Sequence, residues 1–255
     1  MMRLKSPDEI LKIEHASRIV AEILSMLNEY VVEGSDASVL ERKALEHMAK
    51  RSAKPAFKGY RGYDFALTVS INEEVVHGLP LKEKVFGAGD IVSVDCGVVK
   101  SGYIGDAAYT YVVGDFHDEA DEVLVKETHR ALHIGIEAAR PGNRVGDIGH
   151  AIQTHVEDFK LSVIRDYVGH GVGASLHEDP QIPNYGKAGT GPVIREGLTL
   201  AIEPMISRGD YSVVVLEDGW TAVTTDRSTA AHFEHTVVVE KKGARILSTL
   251  DGGVQ

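Results

Sequence analysis

Four acidic residues and two histidines of this 255-residue chain stand where ordinary packing would not put them. Residues 90–114 form two β-branched and aromatic runs joined at Lys100, Ser101 and Gly102, the pattern of a β-hairpin. Side chains alternate along a strand, so Asp95 shares a face with Ile91 and Ser93, and Asp106 shares one with Ala108 and Thr110. A turn centred between Lys100 and Ser101 sets the two carboxylates directly opposite each other, with Cβ atoms about 4.5–5.5 Å apart. Like charges there repel, and what offsets them is a Lys or Arg from elsewhere, a shared proton or bound cations. Further along, a glycine-rich segment carries His170 and His177, Glu203 ends the apolar run LeuThrLeuAlaIle, and Glu234 sits in the apolar run AlaHisPheGluHisThrValVal. Carboxylates on apolar strands are costly unless paired or metal-bound. Asp95, Asp106, Glu203 and Glu234 together bring about four negative charges, which two divalent cations neutralise. No Lys or Arg in these segments is near enough to do so. Mostly carboxylate oxygens with one imidazole suit Mn²⁺, Fe²⁺ or Co²⁺ and tolerate Zn²⁺. Two-metal centres of this kind typically activate a bridging water for hydrolysis.

The elements that must position these groups can be read in order. Ser6, Pro7 and Glu9 predict a helix start with a capping box, followed by a stripe of Ile10, Ile13, Val20, Leu24 and Leu27. A second helix fits 35–50, with Leu40, Ala44 and Met48 on one face. Short strands are expected over 65–71 and 75–76, ahead of the hairpin. Two more helices follow, over 118–139 (stopped by Pro141 and Gly142) and over 145–159, and then strands over 163–167, 198–202, 211–216, 221–225 and 236–240. The repeated order helix, helix, strands suggests an internal duplication. An offset of 108 lays Gly142 on Gly34, lays Ile148, Ile152 and Val156 on Leu40, Ala44 and Met48, and lays Glu203 on Asp95. Two structurally equivalent halves sharing a sheet are the expected architecture.

Composition narrows the class. With 43% hydrophobic and 25% charged residues the chain can bury a substantial core, and its 8 prolines and 26 glycines are dispersed, with no low-complexity linker. A net charge of −11 argues against a nucleic-acid surface, which needs a basic stripe. No apolar leader or span-length run is present, so a cytoplasmic protein is expected. Cys96, the one cysteine, is expected to be a buried packing thiol. His15, His47, His117, His129, His133, His150 and His155 fall on predicted helices or their ends as ordinary surface or packing groups, while His232 and His235 flank Glu234 and either orient it or serve structure. Gly169, Gly171 and Gly173 do not complete a dinucleotide fingerprint.

At these residues the sequence resembles the type I methionine aminopeptidases of the pita-bread fold. The motifs SINEEVVHGLP, GDIVSVDCG, GDAA, VGHGVGASLHEDPQIPNYG, LTLAIEPM and EDGWTAVTTDRSTAAHFEHT carry the resemblance, which runs over essentially the whole chain. It implies an α+β fold of two pseudo-symmetric αα-β halves around a curved, mainly antiparallel sheet, forming a single catalytic domain over 1–255. It also implies two divalent ions (Co²⁺, Mn²⁺, Fe²⁺ or Zn²⁺) held by Asp95, Asp106, His170, Glu203 and Glu234, with Asp106 and Glu234 bridging. Glu203 would accept and return the proton of the attacking water, His177 would polarise the carbonyl and His77 would contact the scissile amide nitrogen. Phe57, Tyr60, Tyr63, Thr68, Leu176 and Trp220 match the methionine pocket. Thr68 stands where relatives often have Cys, Leu176 where they often have Phe, and Arg61 where a His commonly sits. The spacing of 31 residues between Glu203 and Glu234 leaves little room for the helical insertion of type II enzymes, and the absence of an N-terminal extension resembles the short bacterial-type enzymes. The implied activity is removal of the initiator methionine from nascent polypeptides when the second residue is small and uncharged. The implied partners are such N-terminal methionine peptides and, through them, the ribosome, with no nucleic acid, no membrane and a monomeric state. Two rivals stay open on the residues: a proline-specific peptidase of the same fold, which usually carries a separate N-terminal domain, and a metal-free binding protein.

Overall fold

The computed structural model describes residues 2–250, so the expected domain over 1–255 runs past the described residues at both ends. Helix α1 (Pro7–Leu27) starts at Ser6, whose hydroxyl accepts from the Glu9 amide while the Glu9 carboxylate accepts from the Ser6 amide at 2.8 Å, completing the capping box. Helix α2 (Ala37–Lys50) starts two residues later than expected, because the carboxylate that takes the Ser38 and Val39 amides belongs to Asp36. Helices α3 (Glu119–Ala138) and α4 (Val145–Asp158) lie within a residue of their predicted bounds.

The strands of the first half are β1 (Lys54–Pro55), β2 (Leu67–Ile71), β3 (Glu74–Val76), β4 (Ile91–Lys100) and β5 (Tyr103–Val112). Those of the second half are β6 (Ser162–Val163), β7 (Gly169–Gly171), β8 (Glu178–Ile182), β9 (Thr199–Ile202), β10 (Met205–Ser207), β11 (Val213–Val215), β12 (Ala222–Thr224), β13 (Ala230–His232), β14 (His235–Glu240) and β15 (Gly243–Ile246). The strand expected over 163–167 ends at Val163, and six of these strands were not anticipated: β1, β7, β8, β10, β13 and β15.

The hairpin of β4 and β5 exists, but its register corrects the expected one. Ser101 and Gly102 form a two-residue loop with φ 53° and 78°, so the turn is centred between them and not one position earlier. Positive φ at both loop residues matches the twist of the flanking strands. Asp95 therefore pairs with Ala108, and Asp106 with Gly97. The two carboxylates stay on one face, as diagonal rather than direct neighbours.

The duplication is in register at the offset of 108. It maps α2 onto α4, β1 onto β6, Gly34 (φ 81°) onto Gly142 (φ 94°), and the bridge Asp36 to Val85 onto the bridge Arg144 to Val193. Each half packs its helices on its own sheet: α1 and α2 bury Ile23, Leu27, Leu40 and Met48 against Val92 and Val94, and α3 and α4 bury Leu132, Ile148 and Ile152 against Leu200 and Ile202. The antiparallel sheet between the halves is built from two larger sheets, β1-β4-β2 with β5 on β4, and β15-β14-β9-β7-β8. Two three-stranded sheets, β13-β10-β6 and β11-β12-β3, complete the topology, the latter joining strands of both halves. The large sheets meet at a seam where the Glu234 amide donates to Ala108 O at 3.0 Å, the Asp106 amide donates to Thr236 Oγ1 at 3.0 Å, and that hydroxyl donates back to Asp106 O at 2.7 Å.

Cys96 is fully buried, with its thiol pushed up by burial and by the nearby acids, so it packs as expected. Among the described residues no helix is long and apolar enough to cross a membrane. One close approach fixes how α1 lies on the hairpin: a Cβ at Gly105 would stand 2.2 Å from the backbone nitrogen of Ser17. Gly105→Ala is expected to destabilise the fold by about 1–3 kcal/mol, the usual range for overpacking. The check is the urea midpoint, and an unchanged midpoint would show that α1 can shift.

Candidate metal centre and active site

The seam carries the acidic cluster. Asp95 comes from β4, opposite Thr68 of β2; Asp106 from β5; His170 from β7, opposite Ala201 of β9; Glu203 directly follows β9, and Glu234 directly precedes β14. His170 Nε2 lies 3.4 Å from Glu203 Oε1 and 4.0 Å from Asp106 Oδ2. Asp106, His170 and Glu234, all buried, each present a ligand atom within 4.8 Å of the other two.

Asp95 Oδ1, Asp106 Oδ1 and Glu234 Oε1 are buried with no hydrogen-bond partner among the described residues. His170 Nδ1 lies 2.9 Å from the Gly171 carbonyl, so it carries the proton and leaves the Nε2 lone pair facing the carboxylates. Burial, followed by the nearby His177, lowers the His170 pKa to about 4, which removes the alternative of an imidazolium filling the gap. Burial pushes Asp95 up to about 7, and burial with the mutual repulsion of the acids pushes Asp106, Glu203 and Glu234 well above the ordinary carboxylate range. Orphaned oxygens and an inward lone pair are the donor set of a divalent cation.

A linkage follows with a definite sign. In cation-free protein the folded state keeps protons on these carboxylates that the unfolded chain releases near its ordinary range of about 4. Stability should therefore fall as pH rises from there through about 7, where Asp95 titrates. Urea midpoints of metal-stripped protein should be lower at pH 8 than at pH 5, and saturating Mn²⁺ should erase the difference. A midpoint that rises with pH in the stripped protein would contradict the assignment.

The cluster opens into a cavity of about 540 Å³ whose walls include all thirteen anticipated residues: the five already described, with His77, His177, Phe57, Tyr60, Tyr63, Thr68, Leu176 and Trp220. Tyr63 stands edge-on to Trp220 with ring centres 5.0 Å apart, and its hydroxyl donates to Leu67 O at 2.8 Å, anchoring the aromatic wall to β2. His177 stands over His170, with ring centres 4.3 Å apart, and its Nδ1 is 2.8 Å from the Tyr60 hydroxyl. His77 is held at φ 61°, a sparsely populated conformation for a side-chain-bearing residue, with Tyr167 edge-on at 5.2 Å. Its neighbour Gly78 fixes it: the Gly78 carbonyl accepts from Val69 at 2.8 Å, and a Cβ there would stand 2.2 Å from Val69 O. Burial, followed by His177, lowers the His77 pKa to about 4.

Sequence reasoning missed Tyr167 and Met205, which also line the cavity, and left the role of His232 undecided. His232 is buried, its carbonyl accepts from Thr110 Oγ1 at 2.6 Å, and its unpartnered Nε2 points to within 3.9 Å of Glu203 Oε2. It therefore faces Glu203, where Glu234 had been the expected neighbour. His129, His133 and His235 line a separate cavity behind the seam.

Residues 11–241 match the profile of metallopeptidase family M24. The chain belongs to family M24, in its methionine aminopeptidase branch. This M24 chain is 46% identical to the methionine aminopeptidase of Clostridium acetobutylicum, over 97% of its own length and 99% of the relative's. It is 45% identical to methionine aminopeptidase 1 of Bacillus subtilis, over 97% and 99%. Among solved structures, the methionine aminopeptidase of Thermotoga maritima superposes with a TM-score of 0.96 at 57% identity, covering 98% of this chain and 100% of that one. The prolidase of Pyrococcus horikoshii shares the pita-bread fold alone, with a TM-score of 0.78 at 22% identity, over 99% of this chain and 65% of the prolidase. As a metallopeptidase the M24 chain uses divalent metal, and the carboxylate and imidazole cluster fits it.

Proposed function

We propose that the chain hydrolyses the peptide bond after an N-terminal methionine, on polypeptides whose second residue is small and uncharged. The observation that carries this reading is the opening of one buried acidic cluster directly into an aromatic pocket. Asp95, Asp106, His170, Glu203 and Glu234 would hold two divalent ions; Mn²⁺, Co²⁺, Fe²⁺ and Zn²⁺ all suit the donor set. When bound, such ions offset the acidic charge and polarise water and carbonyl groups.

The chain's own residues then do the following. Glu203 takes the proton of the attacking water and returns it to the leaving amine. The Tyr60 hydroxyl, donating to His177 Nδ1, keeps the proton of His177 on Nε2, where it donates to the developing oxyanion. His77, neutral and fixed at its strained backbone, meets the scissile amide nitrogen. Phe57, Tyr60, Tyr63, Leu176 and Trp220 enclose the flexible thioether, and Thr68 closes the floor beside Asp95. Asp95 marks the end of the site that receives the free amine.

Ligands drawn from both halves make the chain one catalytic domain in this reading. Its substrates would be nascent polypeptides, in the cytoplasm, met by a monomer. The deciding experiment is peptide hydrolysis with added Mn²⁺ or Co²⁺: Met-Ala-Ser and Met-Gly-Ser should turn over, and Met-Lys-Ser and Met-Phe-Ser should not. Comparable rates on all four would overturn the second-residue rule. Faster cleavage of Xaa-Pro peptides would point to a proline-specific peptidase, and no hydrolysis with metal bound to a binding protein.

A further inference from the structure

Among the residues lining the active-site cavity, Arg61 is the one Lys or Arg, and the chemistry above gives it no task. It is exposed, and among the described residues its guanidinium has no carboxylate partner; it stands 5.4 Å from the centre of the Tyr60 ring. Its backbone is fixed in an unusual way. Gly59, Arg61 and Gly62 all have positive φ (88°, 51° and 90°), and the Gly59 amide donates to Tyr63 O at 2.7 Å, closing the loop. A side-chain-bearing residue held in the left-handed region is strained, and such strain concentrates at ligand clamps. By contrast Glu178, an acid of the same wall, is already neutralised by the buried Lys5 at 2.7 Å.

The loop's place relative to the bound peptide follows from the pocket. With methionine between Tyr60, Tyr63 and Trp220 and its amine toward Asp95, the remainder of the peptide leaves past His177 and the exposed rim. Tyr60 joins His177 to Arg61, since it touches the first through its hydroxyl and the second across its ring face. We propose that Arg61 selects peptides carrying a carboxylate just beyond the small second residue, an inference that rests on the aminopeptidase reading. That carboxylate is either the side chain of an acidic third residue or, in a tripeptide, the free C-terminus. A guanidinium fork suits either one through paired N–H donors.

The test compares kcat/KM on Met-Ala-Asp-Trp-amide, Met-Ala-Asn-Trp-amide and Met-Ala-Lys-Trp-amide, and on Met-Ala-Ser against its C-terminal amide. An exposed ion pair is worth a few-fold, so the Asp peptide should exceed the Asn peptide by about 2- to 5-fold at low salt and lose that lead in high salt. The Lys peptide should be the slowest. Arg61→Gln should bring the Asp-to-Asn ratio to about one, and Arg61→Lys should keep part of it; a residue that only shapes the loop would not move this ratio, because general loss of activity cancels within each variant. A preference confined to the free C-terminus assigns Arg61 to the terminal carboxylate of short peptides. Equal rates on Asp and Asn peptides together with equal rates on Met-Ala-Ser and its amide, or ratios unchanged by Arg61→Gln, would overturn the proposal. Failure of the wild type on every methionine peptide would instead overturn the reading on which it rests.

Discussion

Glu234→Ala is expected to lower bound metal and turnover together. The carboxylate is buried, one of its oxygens has no protein partner, and its own amide is tied to Ala108 across the seam, so the backbone should persist when the side chain is cut. What remains is Asp95, Asp106, Glu203 and the His170 lone pair around a space with one ligand fewer. Without that ligand the repulsion that raises the remaining acids has less cation to offset it. Metal-assisted activation is worth several kcal/mol of barrier, so a loss of roughly 10³-fold or more in kcat/KM is expected. Bound metal, counted by mass spectrometry of the ions, should fall in the same variant. If Glu234→Ala keeps both ions, the ligand role given to this residue is wrong.

His177→Ala should separate chemistry from metal. Its ring lies tilted beside His170 with centres 4.3 Å apart, and its Nδ1 is held by the Tyr60 hydroxyl at 2.8 Å. Losing one donor to a developing oxyanion costs roughly 10²-fold in kcat, while metal content should stay at the wild-type level. Tyr60→Phe should lower kcat less, since it frees the tautomer without removing the imidazole. Metal lost from His177→Ala would move His177 into the ligand set.

That Asp95, Asp106, Glu203 and Glu234 gather at one cavity was legible in the sequence because four carboxylates on apolar strands are costly together, although any one of them alone reads as a surface group. The capping box of α1 and the offset of 108 were legible for a similar reason, being local patterns that packing had no cause to override. The register of the hairpin was not. It turned on Ser101 adopting a positive φ, a choice that a serine does not announce as a glycine would. Strands β7 and β8, read as GlyHisGly and GluAspProGlnIle, carry no alternation; β7 exists because β9 offers it an edge, and β8 because β7 does. His232 was seen as a neighbour of Glu234 in sequence, whereas its approach to Glu203 depends on how β13 pairs with β10, which no local pattern encodes. Tyr167 lines the cavity edge-on to His77, a contact between distant segments that no local pattern encodes.

The seam between the halves divides the proposed ligands unevenly, with Asp95 and Asp106 before the connection at 114–118 and His170, Glu203 and Glu234 after it. A chain severed in that connection would yield one fragment with two of the proposed ligands and another with three, neither able to close the proposed centre. Hydrolysis would then report reassembly. The two pieces, made separately and mixed, would form a fragment-complementation pair in which catalysis is itself the signal that the seam has closed, and dilution of the mixture would switch it off.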